Sequence, residues 1–504
     1  MRMGGGKALA AGCLAGLGAA LWAGAGSASQ DYFPGTFFSL SEGNTYSLFQ
    51  PDTGMSVPFL APSNDSRTNL LLLIAQARGV RPHFLATPTP FGRHGRYVAQ
   101  TPVDFGTLTA VFDDTKPRPA QDTSGIIDGQ GDRCRSNAAS AAAYLAALRS
   151  SPATPAEKRV LGTARAAVTT ACAKGDKAAA FDPANPAVTS AAGRDFAAYL
   201  AGATAFYGGD FTAARKSFTL AAAAAQPWVR EAARYTVARL ELNAAEIDTT
   251  GQYGQIVLSG VDAAALAKAE TGFQAYLRDY PTGVYAASAR GFERRVLYLR
   301  GDMTRLAELY GRAIEGRTAA GNATVLDLTY EIDNKLLDDG QGGIRAVDIR
   351  NPWLLAVVDL MRMRTAQHLG SGKPAPLSRF DLGMQGPVFA AQPELRTYLD
   401  AAYSFYVENR PADALKTLDA LKPAHHMSTV RFSAQVLKGL ALEALHRPAA
   451  ARAQWQAVIP LSEPVLQRPA VELPWRRTSR PAAMWRRCSP RDRRSTTRPI
   501  AKSC

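Results

Sequence analysis

Histidine is scarce in this chain and poorly placed for chemistry. The six are His83, His94, His368, His425, His426 and His446, and no His-Glu-x-x-His or other metal-ligand spacing joins them. His425 and His426, the one adjacent pair, follow Pro423 in a loop where neighbouring side chains diverge. Cysteine is scarcer still, 5 in 504 residues, with no C-x-x-C. There is no G-x-S-x-G nucleophile turn and no P-loop, since Gly372-Lys373 runs into Pro374 without the upstream glycines that cradle phosphate. Beyond the N-terminus, no apolar run is long enough to span a bilayer. These absences argue against a metal, nucleotide or nucleophilic enzyme. The expectation is a non-catalytic chain with no cofactor, no metal and no transmembrane segment in the mature form.

Acidic residues are missing from one place in particular. The formal charge of +15 suggests nucleic acid until it is located. From Arg468 to Cys504 a run of Arg and Lys is opposed only by Glu472 and Asp492, which leaves an ordinary balance in the body. Residues 464–504 change abruptly to Arg, Pro, Ser and Thr and read as a disordered or out-of-frame tail. A weaker alternative is an arm for nucleic acid or anionic lipid, with Trp475 and Trp485 as stacking groups. At the other end, Arg2 and Lys7 precede an Ala/Gly-rich apolar run and small residues at Gly26, Ala28 and Ser29. That is the layout of a cleaved secretory signal, residues 1–28, so the chain is expected in the periplasm or cell envelope. An uncleaved anchor and a lipid anchor at Cys13 are the lesser options.

What is abundant is Ala and Leu at helical spacing. In the stretch Asp195 to Pro227, residues Phe196, Tyr199, Leu200, Ala203, Phe206 and Tyr207 fall on one face of a helix. Gly208-Gly209 ends it, and Asp210 can cap a second helix faced by Phe211, Ala214, Phe218 and Ala221. Small residues at Gly202, Ala214 and Ala221 allow close approach beside Phe218. The theme recurs. Ala269, Phe273 and Pro281 repeat half of it, Tyr398-Leu399-x5-Phe405-Tyr406 copies Tyr199-Leu200-x5-Phe206-Tyr207 with a turn one residue longer, and Gly439, Ala451 and Trp455 repeat the offsets of Gly202, Ala214 and Phe218.

An earlier hairpin is expected from Ala138–Arg149 and Pro155–Ala173. Cys134 stands at the entrance of its first helix and Cys172 at the exit of its second, ends that lie side by side in an antiparallel pair. In an oxidising compartment a Cys134–Cys172 disulfide is expected, with two buried thiols as the alternative. Residues 29–130 are irregular and rich in Pro, Gly, Thr and Phe, with one helix candidate, Ser63 to Arg78, capped by Asn64 or Ser66 and stopped by Gly79. Short extended runs around it, Phe37–Leu40 and Leu108–Phe112, are expected to lie on the first turn of the helical array.

The Gly…Ala-x3-aromatic…Pro pattern resembles the tetratricopeptide repeat, and Phe273 to Ala289 is especially similar to periplasmic, outer-membrane-assembly tetratricopeptide proteins of Gram-negative bacteria. The resemblance implies an all-α fold, an α-solenoid of degenerate helical hairpins. On that reading a hairpin occupies 131–181, repeats 190–315, weaker helices and a Pro/Gly-rich loop 316–392, and further repeats 393–463. It also implies a concave groove that binds peptide or helical segments of envelope proteins. Counting back from the Gly-Asp turns places Tyr199, Arg230, Ser288 and Arg295 on that groove, the arginines suited to a carboxylate. The alternative is an envelope enzyme, or an accessory of one, with its site between the N-terminal region and the solenoid.

Overall fold

The computed structural model describes residues 57–64, 66–80, 134, 137–247, 249, 257–317, 325–337, 348–367, 375–421, 427–464 and 467–478. The signal-like leader, both short extended runs, His425-His426 and the tail beyond residue 478 lie outside them. Among the described residues every regular element is helical, and no helix is long and apolar enough to cross a membrane. The chain divides into two compact units, one holding residues 117–309 and 318–335, the other 35–116, 310–317 and 336–504.

The first unit begins with the expected hairpin, α2 (Asn137–Ser150) and α3 (Pro155–Lys174), numbering from α1 (Ser66–Ala77) of the second unit. Cys134 and Cys172 are joined, their Cα atoms 5.4 Å apart. Closing a 38-residue separation stabilises the fold by about 4 kcal/mol on a chain-entropy basis. Beside the disulfide, fully buried Arg165 donates to Asn137 Oδ1 (2.8 Å), Thr169 Oγ1 (3.1 Å) and the Asn137 carbonyl (3.1 Å), tying α3 to α2.

There follow α4 (Ala191–Gly208), α5 (Phe211–Ala221), α6 (Pro227–Ala245), α7 (Ala263–Asp279), α8 (Ala286–Arg300), α9 (Met303–Ile314) and α10 (Val325–Ile332). From α2 to α8 each helix packs on the next, and α4 also touches α6. Gly209 exits α4 in the left-handed region (φ 85°) and the Asp210 carboxylate accepts the Ala213 N–H at 2.9 Å, the turn chemistry expected there. A Cβ on Gly202 would sit 2.8 Å from the Phe218 ring, so the hairpin closes only because that position is glycine. Tyr144, Phe196, Tyr199, Phe218 and Trp228 form the aromatic centre of the core.

The second unit contains α11 (Pro352–Gln367), α12 (Arg379–Met384), α13 (Pro393–Ala402), α14 (Pro411–Asp419), α15 (Thr429–Ala444), α16 (Pro448–Val458) and α17 (Gln467–Thr478). Helices α13 to α17 each pack on the next, and α13 also touches α15. Gly439 repeats the Gly202 contact: a Cβ there would lie 2.5 Å from the Trp455 ring. The copied Tyr-Leu…Phe-Tyr stretch differs in one respect. Its extra residue is absorbed as a π-helical turn, Tyr403–Val407, which advances the register by one position. Phe206 is buried and Tyr207 half-buried in the first copy; in the second, Phe405 is half-buried and Tyr406 buried. Asn409 (φ 53°) takes the left-handed exit that Gly209 supplies in the first copy.

Residues 57–80 belong to the second unit, where α1 packs on α11 and α15. Leu70, Leu71, Leu72, Leu73 and Ile74 are all fully buried, because five consecutive apolar residues point to every side of the helix and leave that turn no face to offer water. Each such residue contributes about 1.5–3 kcal/mol of transfer free energy. Of the basic stretch, residues 467–478 form α17, which places Ala470 and Val471 in the core with Val57, Phe59 and Trp455. An Ala-Val pair beside a packed helix is enough to extend the core into a basic sequence.

Glu157 joins the starts of α3 and α4. Its carboxylate accepts the N–H groups of Thr154 (2.8 Å), Thr189 (2.7 Å) and Ser190 (2.6 Å) and the Ser190 hydroxyl (2.7 Å). Burial alone would raise its pKa; the bonds from Ser190, Thr154 and Thr189 outweigh that and hold it down at about 2. A lowered pKa makes the stabilisation complete above the ordinary value of 4.5 and drains it as pH falls toward 2. Glu157→Gln is expected to cost about 1–3 kcal/mol at pH 7 in urea unfolding, and the difference from the parent chain should shrink below pH 4.5 and close as pH reaches about 2.

Candidate functional site

The four residues named for the groove do not converge on one open patch. Tyr199, midway along α4, is 3% exposed and packs against Tyr144, Phe218 and Trp228. Burial pushes its hydroxyl pKa up, chiefly by desolvation. Arg295 on α8 is 1% exposed and holds Glu246, the residue that ends α6, through Nε at 2.6 Å and through Nη2. Its neighbour Arg294 pairs in the same way with Glu331 of α10, at 2.5 and 3.3 Å. Removing one partner of such a pair strands a buried charge and costs several kcal/mol. These arginines therefore serve the interior of the first unit. The reason is local: the residues opening the polar insert after α6 supply a carboxylate at the depth where α8 presents Arg295.

Arg230 and Ser288 remain half-buried. Arg230 Nη1 donates to the Ala224 carbonyl at 3.1 Å, closing the turn between α5 and α6. Ser288 Oγ lies 2.6 Å from the Tyr235 hydroxyl. Around that bond is a tyrosine cluster that periodicity did not single out. Tyr235 stacks on Tyr285 at 4.7 Å, with the rings 6° from parallel. Tyr276 donates to Glu231 at 2.8 Å and accepts the Tyr285 N–H at 3.0 Å, while Glu231 also accepts the Val284 N–H at 2.6 Å. Gly283 has to be small here, because a Cβ would meet Glu231 Oε1 at 2.4 Å. The phrase Phe273 to Ala289 carries much of this cluster, and helical spacing alone does not say which partners its hydroxyls meet.

In the second unit, helices far along the chain bind the backbone of an early segment. The Tyr398 hydroxyl of α13 donates to the Leu60 carbonyl, and Ser433 Oγ of α15 accepts the Leu60 N–H at 2.9 Å. Arg364 Nη1 of α11 donates to the Asn64 carbonyl at 2.5 Å, and Gln467 Nε2 of α17 donates to the Pro58 carbonyl at 3.2 Å. Phe59 packs edge-on against Phe432. The segment also bonds to itself. Asn64, a candidate helix cap, instead accepts the Val57 N–H at 2.7 Å and donates to the Phe59 carbonyl at 2.7 Å, while Asn69 donates to the Ala61 carbonyl at 2.9 Å.

Comparison with protein-family models, with curated proteins and with solved structures finds no match to the chain. The geometry is that of side chains from several helices satisfying the main chain of a segment with a non-helical stretch, with Phe59 packed against Phe432 beside it. Such contacts hold a peptide by groups that every peptide carries. Among the described residues no three His, Cys, Asp or Glu side chains gather as a metal site.

Tyr398→Phe removes one hydroxyl and leaves the buried Leu60 carbonyl without that donor. Urea unfolding should show a loss of about 1–3 kcal/mol; an unchanged midpoint would mean that the contact contributes nothing.

Proposed function

We propose that this chain is a non-catalytic, exported protein–protein interaction scaffold of the tetratricopeptide type, binding peptide or helical segments of cell-envelope proteins. The observation that carries the reading is the way α11, α13, α15 and α17 bind residues 58–64 through their backbone groups. Helices so arranged are built to receive a peptide. Contacts between alternate helices, α4 with α6 and α13 with α15, support a solenoid of hairpins, since stacked repeats touch through their first helices. The glycine-under-ring contact present in both units supports a shared repeat ancestry for Gly202–Phe218 and Gly439–Trp455. The disulfide supports an oxidising compartment, and with it export.

In the first unit half-buried Tyr285 and Ser288 of the tyrosine cluster, with half-buried Arg230 on α6, are the surface assigned to an envelope partner. Tyrosine supplies broad, rigid contact area with a hydroxyl at its edge, which suits it to protein interfaces. A photo-crosslinking side chain introduced at Ser288 or Arg230 should give an adduct with an envelope protein, and one at Lys216, exposed on α5, should not. Equal labelling from all three positions, or none from any, would contradict the assignment.

A further inference from the structure

Asp359 on α11 is the most deeply buried carboxyl group with an unsatisfied oxygen among the described residues. It is fully enclosed, and Oδ1 accepts one bond, from Gln385 Nε2 at 2.8 Å. Its second oxygen, Oδ2, has no partner, and neither does Gln385 Oε1, also buried. Two acceptors cannot satisfy one another. A single proton changes that: a carboxylic acid can accept from the amide N–H and donate its O–H to the amide C=O, closing an eight-membered ring in which both orphaned oxygens are paired.

We propose that Asp359 and Gln385 form a carboxylic acid–amide latch, closed by one proton, that fastens the end of α12 to α11 and loosens when the proton leaves. The surroundings favour it. Gln385 ends α12, and the following turn is pinned by buried Leu382 and Phe389. The charges acting on Asp359 are Arg362 on α11, Arg396 on α13 and Asp381 on α12. Both guanidiniums already have carboxylates, Arg362 with Asp381 at 2.7 Å and Arg396 with Asp400 at 2.8 Å. Of the other elements packed on α11, α1 brings Arg67, and the π turn brings Tyr403 and Tyr406 with Glu408 following, the last held by Arg379. Arg364, also on α11, is bound to the Asn64 carbonyl. Arg396 Nη1 is buried without a partner and offers the ionised carboxylate an alternative donor. Burial is the main force on the group and lifts its pKa to about 7, against opposing contributions from Gln385, Arg362 and Arg396.

The sign follows from linkage. An acid that binds its proton more tightly when folded stabilises the fold at low pH and loses that advantage as pH rises to its folded pKa. Asparagine at 359 keeps the shape and replaces the acid O–H with an amide N–H, so Asp359→Asn is a latch that stays closed. In urea unfolding of the full chain, the folded-to-unfolded ratio of the parent relative to Asp359→Asn should fall by up to about tenfold per pH unit between pH 5 and 7 and level off above. Infrared difference spectra at pH 6 should show a protonated carboxyl in the parent that is missing from the variant. Asp359→Leu separates the latch from simple burial: it leaves both ends of Gln385 unpaired, so its urea midpoint should lie below that of Asp359→Asn at every pH. Parallel pH profiles for parent and Asp359→Asn, an ionised Asp359 at pH 6, or a Leu variant as stable as the Asn variant would each overturn the proposal.

Discussion

The architecture of the second unit depends on one act of burial: α1, whose Leu70–Ala75 run is apolar on every side, is enclosed by helices that come some 300 residues later in the chain, as the bond from Arg364 to Asn64 measures. A helix of that kind cannot remain at a surface, and it draws with it the segment that precedes it. That segment exposes N–H and C=O groups not used in helix bonds, and each would be costly to bury alone. Tyr398, Ser433, Arg364 and Gln467 bond four of those groups, and Asn64 and Asn69 bond others. Packing selects the location and hydrogen bonding selects the register.

The hairpins rest on a smaller constraint, met twice. Where Gly202 lies under Phe218 and Gly439 under Trp455, the rings occupy the space that a Cβ would need. Close approach lets Ala214 and Ala451 bury completely, so each hairpin forms a dense core from small residues and one large ring. The π turn at Tyr403–Val407 shows that the pattern tolerates an inserted residue, provided that the chain leaves the helix through a residue such as Asn409 that accepts a left-handed conformation.

The legible part of the chain was therefore its local part. Helix periodicity, the Gly209–Asp210 turn, Pro155 at the start of α3, the glycine offsets and the Cys134–Cys172 pairing all follow from residues within one hairpin, and all appear in the structure. Placement of α1 was not legible, because a run such as Leu70–Ile74 has no polar face by which to orient it and its neighbours lie hundreds of residues away. Arg295 was misread for a related reason. Spacing shows which side of a helix an arginine occupies and says nothing about whether a carboxylate such as Glu246 will arrive from another element. The tyrosine cluster of Tyr235, Tyr276 and Tyr285 depends likewise on three elements meeting.

The central claim is that residues 57–77 are seated among the C-terminal helices as a bound peptide would be. Hydrogen exchange of the intact chain tests it most directly. The account predicts that the amides of Leu70 to Ile74 exchange on the same slow schedule as those of α15, and that Tyr398→Phe accelerates both together. Exchange of Leu70 to Ile74 at the rate of an unstructured peptide, while α15 stays protected, would contradict it.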